Sequence, residues 1–372
     1  MNRRAIAPQW FYLAVCTLTV LGIALAGWWW AWRLFGVPTL EPVFADLRTV
    51  QAGLGALQAG LNPQVANPGD PWGRPMNYPS IWLGIARVLH WEREGNYLAF
   101  AAAVDLAFVA CCFDLIRRYR SWWIAALALS GACALGLERG NNDLVVFVLL
   151  YLSAIGARPL FAALVPLAVL LKLFPVLALP AFIHRPRLAA VAAVGCVAAI
   201  AVLAPELATI RAATPAGAVM SFGLPLYAYG LQQAGLAVPP PAVGAVLLIL
   251  ALLLGRADPG LLRTAPRDET TETLFLCGAA IFLGSTLLGT NWDYRLSFLL
   301  MTLPLVAALE VKAMRIIIPA LMVFAAAQPL LDGFAGVTGW RLNMVAKAAL
   351  FVLLAPLAFR LLAARLPRPV RG

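Results

Sequence analysis

The chain has 372 residues, 62% of them hydrophobic and only 12% charged, with a mean hydropathy of +0.85 and a formal net charge of +11. Many apolar runs approach or exceed the ~20 residues needed to cross a bilayer, which excludes a soluble globular fold. They are continuous rather than alternating, which excludes a membrane β-barrel and leaves an all-α, polytopic transmembrane helical bundle.

The first element follows the basic start MNRR and runs over residues 10–32, too long for a cleavable signal sequence, so it reads as an uncleaved first span. Its tryptophans Trp28, Trp29, Trp30 and Trp32 suit an interfacial belt. Residues 33–96 then form a long polar loop. Within it Leu47, Val50, Leu54, Leu57 and Leu61 recur at spacings of three and four, with Arg48, Gln51 and Gln58 off that face. This predicts a helix lying in the membrane interface and headed by Asp46, with Glu41 just before it. The Pro/Gly/Asn segment "NPQVANPGDPWGRPMNYPS" follows, and Tyr78–Trp91 is predicted as a second interfacial helix. At about 14 residues that helix would cover roughly 21 Å, short of a crossing.

Further spans are predicted at residues 97–116, 121–137, 143–157, 188–205, 241–255, 273–290, 291–309, 316–334 and 342–362. With the first, this makes ten crossings. The chain then divides into the loop, a core bundle over 97–310 and a C-terminal hairpin over 311–372, all within one membrane domain. The segment "FAALVPLAVLLKLFPVLALPAFI", Phe161–Ile183, carries Lys172 in mid-run and three prolines. It is predicted as a broken, re-entrant hairpin with Lys172 near its tip. The basic clusters Arg3–Arg4, Arg117–Arg120, His184–Arg187, Arg256–Arg267, Lys312–Arg315 and Arg360–Arg371 then all fall on one side, cytoplasmic by the positive-inside rule, as do both termini.

That arrangement brings three polar stretches to the opposite face: the first loop, "ERGNND" (138–143) and "GTNWDYR" (289–295). Ionisable groups at membrane depth are costly and usually functional. The blander readings are a self-satisfied turn at "ERGNND", an aromatic anchor with an Asp293–Arg295 contact, a buried Lys172–Asp105 pair, and a dipole-stabilising role for Asp46 at its helix start. The six cysteines lie in apolar runs without metal-ligand spacing, and neither His90 nor His184 joins them. They read as small buried hydrophobes, and no metal site is expected.

In order, "ADLRTVQAGLGALQAGLNP", "NYPSIWLGIARVL", "ERGNNDLVVFVLL", "LKLFPVLALP" and "NWDYRLSFLL" resemble the blocks of glycosyltransferase family 87, over roughly residues 10–310. "YPS" stands where Tyr-Pro-Pro is commoner. The resemblance implies a GT-C-like fold in a bacterial inner membrane and an outward, periplasmic active site. It implies inverting, metal- and cofactor-independent transfer of a sugar of mannose or arabinose type. The donor would be a polyprenyl-phosphate sugar, and the acceptor an envelope lipid, glycan or protein; no nucleic acid is involved. It also implies that Asp46 is the base. The chemistry needs a carboxylate to take the acceptor proton, from Asp46 or Glu41, and cationic or amide groups for the donor. Arg74, Arg139, Lys172 and Arg295 are candidates for the phosphate. Tyr78, Asn141, Asn142, Asp143, Asn291 and Asp293 complete the candidate donor site. Two rival functions remain: a transporter or flippase of a lipid-linked sugar, which also uses broken helices and intramembrane charge, and a non-catalytic subunit of envelope polysaccharide assembly.

Overall fold

The computed structural model describes residues 7–156, 159–215, 217 and 219–366, with the side chains of 332–334 left aside. The N-terminal basic pair, Arg158 and the basic residues after 366 lie outside the described residues. The fold is an all-α helical bundle. Six helical segments are long and apolar enough to cross a membrane: Pro8–Ala26, Glu94–Tyr119, Pro186–Ala213, Pro240–Ala257, Glu269–Leu288 and Ala335–Arg365.

In chain order the helices are α1 (Pro8–Ala26), α2 (Trp28–Arg33), α3 (Ala45–Gln58), α4 (Ile81–Val88), α5 (Glu94–Tyr119), α6 (Trp122–Ala128), α7 (Gly131–Arg139), α8 (Asn142–Ile155) and α9 (Leu160–Leu171). They continue with α10 (Pro186–Leu203), α11 (Leu207–Ala213), α12 (Leu224–Gln233), α13 (Pro240–Ala257), α14 (Glu269–Leu288), α15 (Leu303–Val306), α16 (Met314–Ala325) and α17 (Gln328–Arg365). Two two-residue strands, β1 (Ser221–Phe222) and β2 (Asn291–Trp292), pair antiparallel.

Several expected spans are broken. The stretch 10–32 divides at Gly27, whose φ of 89° ends α1 before α2 begins. The stretch 121–137 is α6 and α7, separated where Ser130 caps α7 by accepting from the Cys133 amide. The stretch 291–309 is mostly a 3-10 helix, Asp293–Met301, followed by α15. That 3-10 segment is buried along nearly its whole length, so surrounding helices rather than lipid satisfy it.

Both helices expected in the first loop exist, but their apolar faces meet protein. Leu47, Val50 and Leu54 of α3 join Tyr78, Trp82, Trp91, Tyr97 and Leu171 in a second apolar core beside the main one. Leu57, in the last turn of the helix, and Leu61, beyond its end at Gln58, are exposed. The loop is latched to the bundle by Glu206, just before α11, which accepts from the Ser80 amide (2.7 Å), the Ser80 hydroxyl (2.5 Å) and Gln64 Nε2 (2.7 Å).

Phe161–Ile183 has the expected hairpin form. Helix α9 rises to Leu171, the chain turns extended at Lys172, and a 3-10 helix, Phe174–Phe182, returns. The rings of Phe161 and Phe182 stack at 4.4 Å, so both ends of the segment lie at one level.

That level is the basic end of the bundle. Tyr119 at the end of α5 meets Thr271 at the start of α14 (3.1 Å), and His184 and Arg185 reach Glu269. Arg365 pairs with Glu272 at 3.1 Å, Arg360 donates to Gly255 O and Pro259 O, and Glu310 donates its amide to Arg263 O. The basic stretches at 117–120, 184–187, 256–267, 312–315 and 360–365 therefore share one end. All six cysteines are free; five are buried and Cys16 is half-buried.

Candidate functional site

At the other end lies a cleft of about 330 Å³, with Asp46, Thr49, Arg74, Tyr78, Arg139, Trp292 and Tyr294 among its lining residues. Two helix starts meet at it, one in its lining and one beneath. Asp46 is in the first turn of α3 and Asp143 in the first turn of α8, positions that the helix dipole favours for carboxylates.

The turn between α7 and α8 explains the spelling "RGNND". Gly140 closes α7 at φ 57°, and a Cβ there would stand 3.0 Å from Phe44 Cβ, so only glycine lets this turn approach the head of α3. Asn141 caps α8: its Oδ1 accepts from the Asp143 amide at 2.8 Å. That fixes the other half of the amide, and Nδ2 donates to Asp46 Oδ2 at 2.5 Å. One residue thus caps a helix and orients the cleft carboxylate.

The second Asp46 oxygen receives Arg74 Nη1 at 3.3 Å. Arg74 is itself held by Asp70 Oδ2 (3.1 Å), Thr49 Oγ1 (2.7 Å) and Ala45 O (2.5 Å). Burial pushes the Asp70 carboxyl up, but Arg74 and the Arg74 and Trp72 amides outweigh it and hold Asp70 below the usual carboxylate range. Burial, reinforced by the Asp46 charge, pushes the Tyr78 phenol well above its ordinary value, so it stays protonated.

Beneath the cleft lies an ion cluster that does not line it. Asp143, fully buried, accepts from Lys172 Nζ and from Arg295 Nε (2.9 Å). Arg295 also donates to Asn291 Oδ1 and stacks 4.0 Å from the Phe174 ring centroid. The rings of Tyr78 and Tyr294, which line the cleft, lie 5.0 and 6.0 Å from Lys172 Nζ. Two sequence-based pairings are therefore corrected. Lys172 meets Asp143 and not Asp105, because the hairpin carries it beyond mid-helix α5 to the start of α8. Asp105 Oδ1 has no hydrogen-bond partner among the described residues. Asp293 meets Lys347 at 2.6 Å and not Arg295, because the 3-10 geometry turns these neighbours to different sides.

Of the expected site residues, Asp46, Arg74, Tyr78 and Arg139 line the cleft, and Asn141 bonds to Asp46. Asp143, Lys172, Asn291 and Arg295 form the cluster beneath, and Asp293 forms a separate buried pair. Asn142 is buried, and neither side-chain polar atom finds a partner among the described residues. Glu41 is not in this cleft; it lines an open hollow beside Gly27 and Trp28–Trp30. Arg139 touches Glu138 at 3.3 Å and donates to Pro38 O at 3.0 Å, while its Nη1 is buried without a partner among the described residues. The sequence reading missed Thr49, Asp70, Trp292 and Tyr294. Trp292 and Tyr294 lie in the singled-out stretch "GTNWDYR" but had no role assigned, and Asp70 left a signal in its i,i+4 spacing to Arg74 in an otherwise Pro/Gly-rich segment.

Compared with protein-family models, curated proteins and solved structures, the chain matches none.

Proposed function

We propose that this chain is a multi-pass membrane glycosyltransferase of the hexosyl- or pentosyltransferase class, with the cleft as its active site and Asp46 as general base. The donor would be a polyprenyl-phosphate sugar and the acceptor an envelope lipid, glycan or protein hydroxyl. The observation that carries this reading is the Asp46 carboxylate, which lines the cleft and is held by one short amide contact and one longer Arg74 contact, while the better-buried Asp143 is consumed by two cations.

In the proposed step the acceptor oxygen attacks the anomeric carbon. The bond from that carbon to the phosphate oxygen breaks, its electron pair leaves with polyprenyl phosphate, and the acceptor proton passes to Asp46. The anomeric configuration inverts. Arg139 is the favoured phosphate partner, since it is a guanidinium that lines the cleft and, unlike Arg74, is not paired with Asp46. Arg74 holds Asp46, and Lys172 and Arg295 hold the floor.

The test is incubation of purified protein with radiolabelled polyprenyl-phosphate mannose or arabinose and a membrane-lipid extract. Labelled product should form, and Asp46→Asn should lower the rate by about 10²–10⁴, the usual contribution of a positioned base. Near-wild-type turnover in Asp46→Asn would remove the base assignment. Movement of label across a proteoliposome without product would replace the transferase with a flippase.

A further inference from the structure

A second cavity, of about 250 Å³, opens between α12, α13 and α17, with Tyr227, Leu231, Val243, Leu247, Arg341 and Met344 among its lining residues. It is apolar except at its edge. Among the described residues no acidic side chain lines it. Beside it α13 exposes Val246, Ile249, Leu250 and Leu253, a surface suited to acyl chains rather than water. Arg341 precedes Arg365, at the basic end of the bundle, by roughly 36 Å of helix, which puts it near the level of the cleft end. Among the described residues Arg341 makes no ion pair. Next to it Trp340 packs edge-on against Tyr229, with ring centroids 6.1 Å apart, as aromatic residues do at a membrane surface. Tyr227, 6% exposed, has a hydroxyl with no hydrogen-bond partner among the described residues.

We propose that this groove holds one anionic phospholipid, its phosphate on Arg341 and an acyl chain between α12, α13 and α17. The charge selects the head group: a lone guanidinium over an apolar slot, without a carboxylate to balance a choline, favours a net-negative lipid. The position argues against the sugar donor as occupant. Among the described residues none lines both this groove and the cleft. Between them stand the β1–β2 pair and the buried Lys347–Asp293 contact, with Lys347 also donating to Ser221 O at 3.2 Å. A resident lipid would brace α17 against that wall without entering the reaction. The inference does not depend on the transferase reading.

The experiment is native mass spectrometry of the purified chain released from bilayers of equal parts phosphatidylglycerol and phosphatidylcholine. Wild type should keep one phosphatidylglycerol in preference to phosphatidylcholine. Arg341→Gln should lower that preference about tenfold, the scale of one charge-assisted contact, and Arg341→Lys should keep most of it. Leu247→Trp fills the slot while leaving Arg341 in place and should also expel the lipid, so a misfolded Arg341 variant does not block the test. Equal retention of the two lipids by wild type, or unchanged preference in both Arg341→Gln and Leu247→Trp, would overturn the proposal. So would displacement of phosphatidylglycerol by polyprenyl phosphate, or a dimer cross-linked through Val345→Cys.

Discussion

Asp46 and Asp143 are joined through one asparagine, yet their surroundings give them different work. Asp143 has no solvent exposure and holds two cations, so replacing it leaves the largely enclosed Lys172 and Arg295 without their counter-ion. Asp143→Asn should lower unfolding stability by about 3–5 kcal/mol, the usual result of breaking a buried pair from one side. A denaturation midpoint in detergent checks this; a loss below ~1 kcal/mol would mean the cluster is solvated. Asp70 gives a pH signature. Its folded pKa lies below the ordinary carboxylate value of about 3.9, so its contribution is present above that value and is lost as pH falls through the folded one. Asp70→Asn should therefore be less stable than wild type at pH 6, with the gap narrowing toward pH 3; a constant gap would remove Asp70 as its source. At this scale the sequence displayed the charged residues but not their partners. "ERGNND" named Asn141 and Asp143 as polar residues in a turn, whereas the capping geometry that points one at Asp46 and the other at Lys172 depends on how α3 and α9 dock.

Elements were more legible where apolar period and punctuation agree. α3 starts at Ala45, one residue before the expected head, and its buried face is Leu47, Val50 and Leu54. The hairpin around Lys172 was readable because Pro175 and Pro180 prevent the return strand from continuing as an α-helix, and it becomes a 3-10 helix. By contrast, 291–309 reads as one long apolar span. Its 3-10 conformation is set by packing: the backbone approaches α14 so closely that a Cβ on Gly278 would lie 2.4 Å from Phe298 O. Apolar period carries no information about such an approach. The hairpin makes a prediction of its own. In a chain with its native cysteines replaced, single cysteines at Leu160 and Arg187, both exposed and just outside the hairpin, should react with an impermeant thiol reagent from the same side of the membrane. Labelling from opposite sides would show that 161–183 crosses completely.

Over the described residues, the clustered basic stretches gather at one end, although both ends carry charges of both signs. The basic stretches gather where α5, α10 and α17 have their basic termini, while Asp46, Asp70, Asp143 and Glu206 gather around the cleft end. No single cluster fixes an orientation, but a bundle whose runs of adjacent Lys and Arg lie at one end has a preferred way to insert, because positively charged loops resist translocation. The proposed transferase needs the cleft outside and the basic end in the cytoplasm, and that is the orientation this preference predicts. Val65 is 66% exposed in the loop at the cleft end, and Arg187 is exposed at the basic end, so the two report on opposite faces. In intact spheroplasts, Val65→Cys should be labelled by the impermeant reagent, and Arg187→Cys should be labelled only after the membrane is opened. Adding basic residues beside Val65 should weaken the bias and produce a mixed population, since orientation follows the difference in charge between the two ends rather than the total of +11. Protection of Val65→Cys with free labelling of Arg187→Cys would place the cleft on the cytoplasmic face. The donor would then have to be one presented from that side.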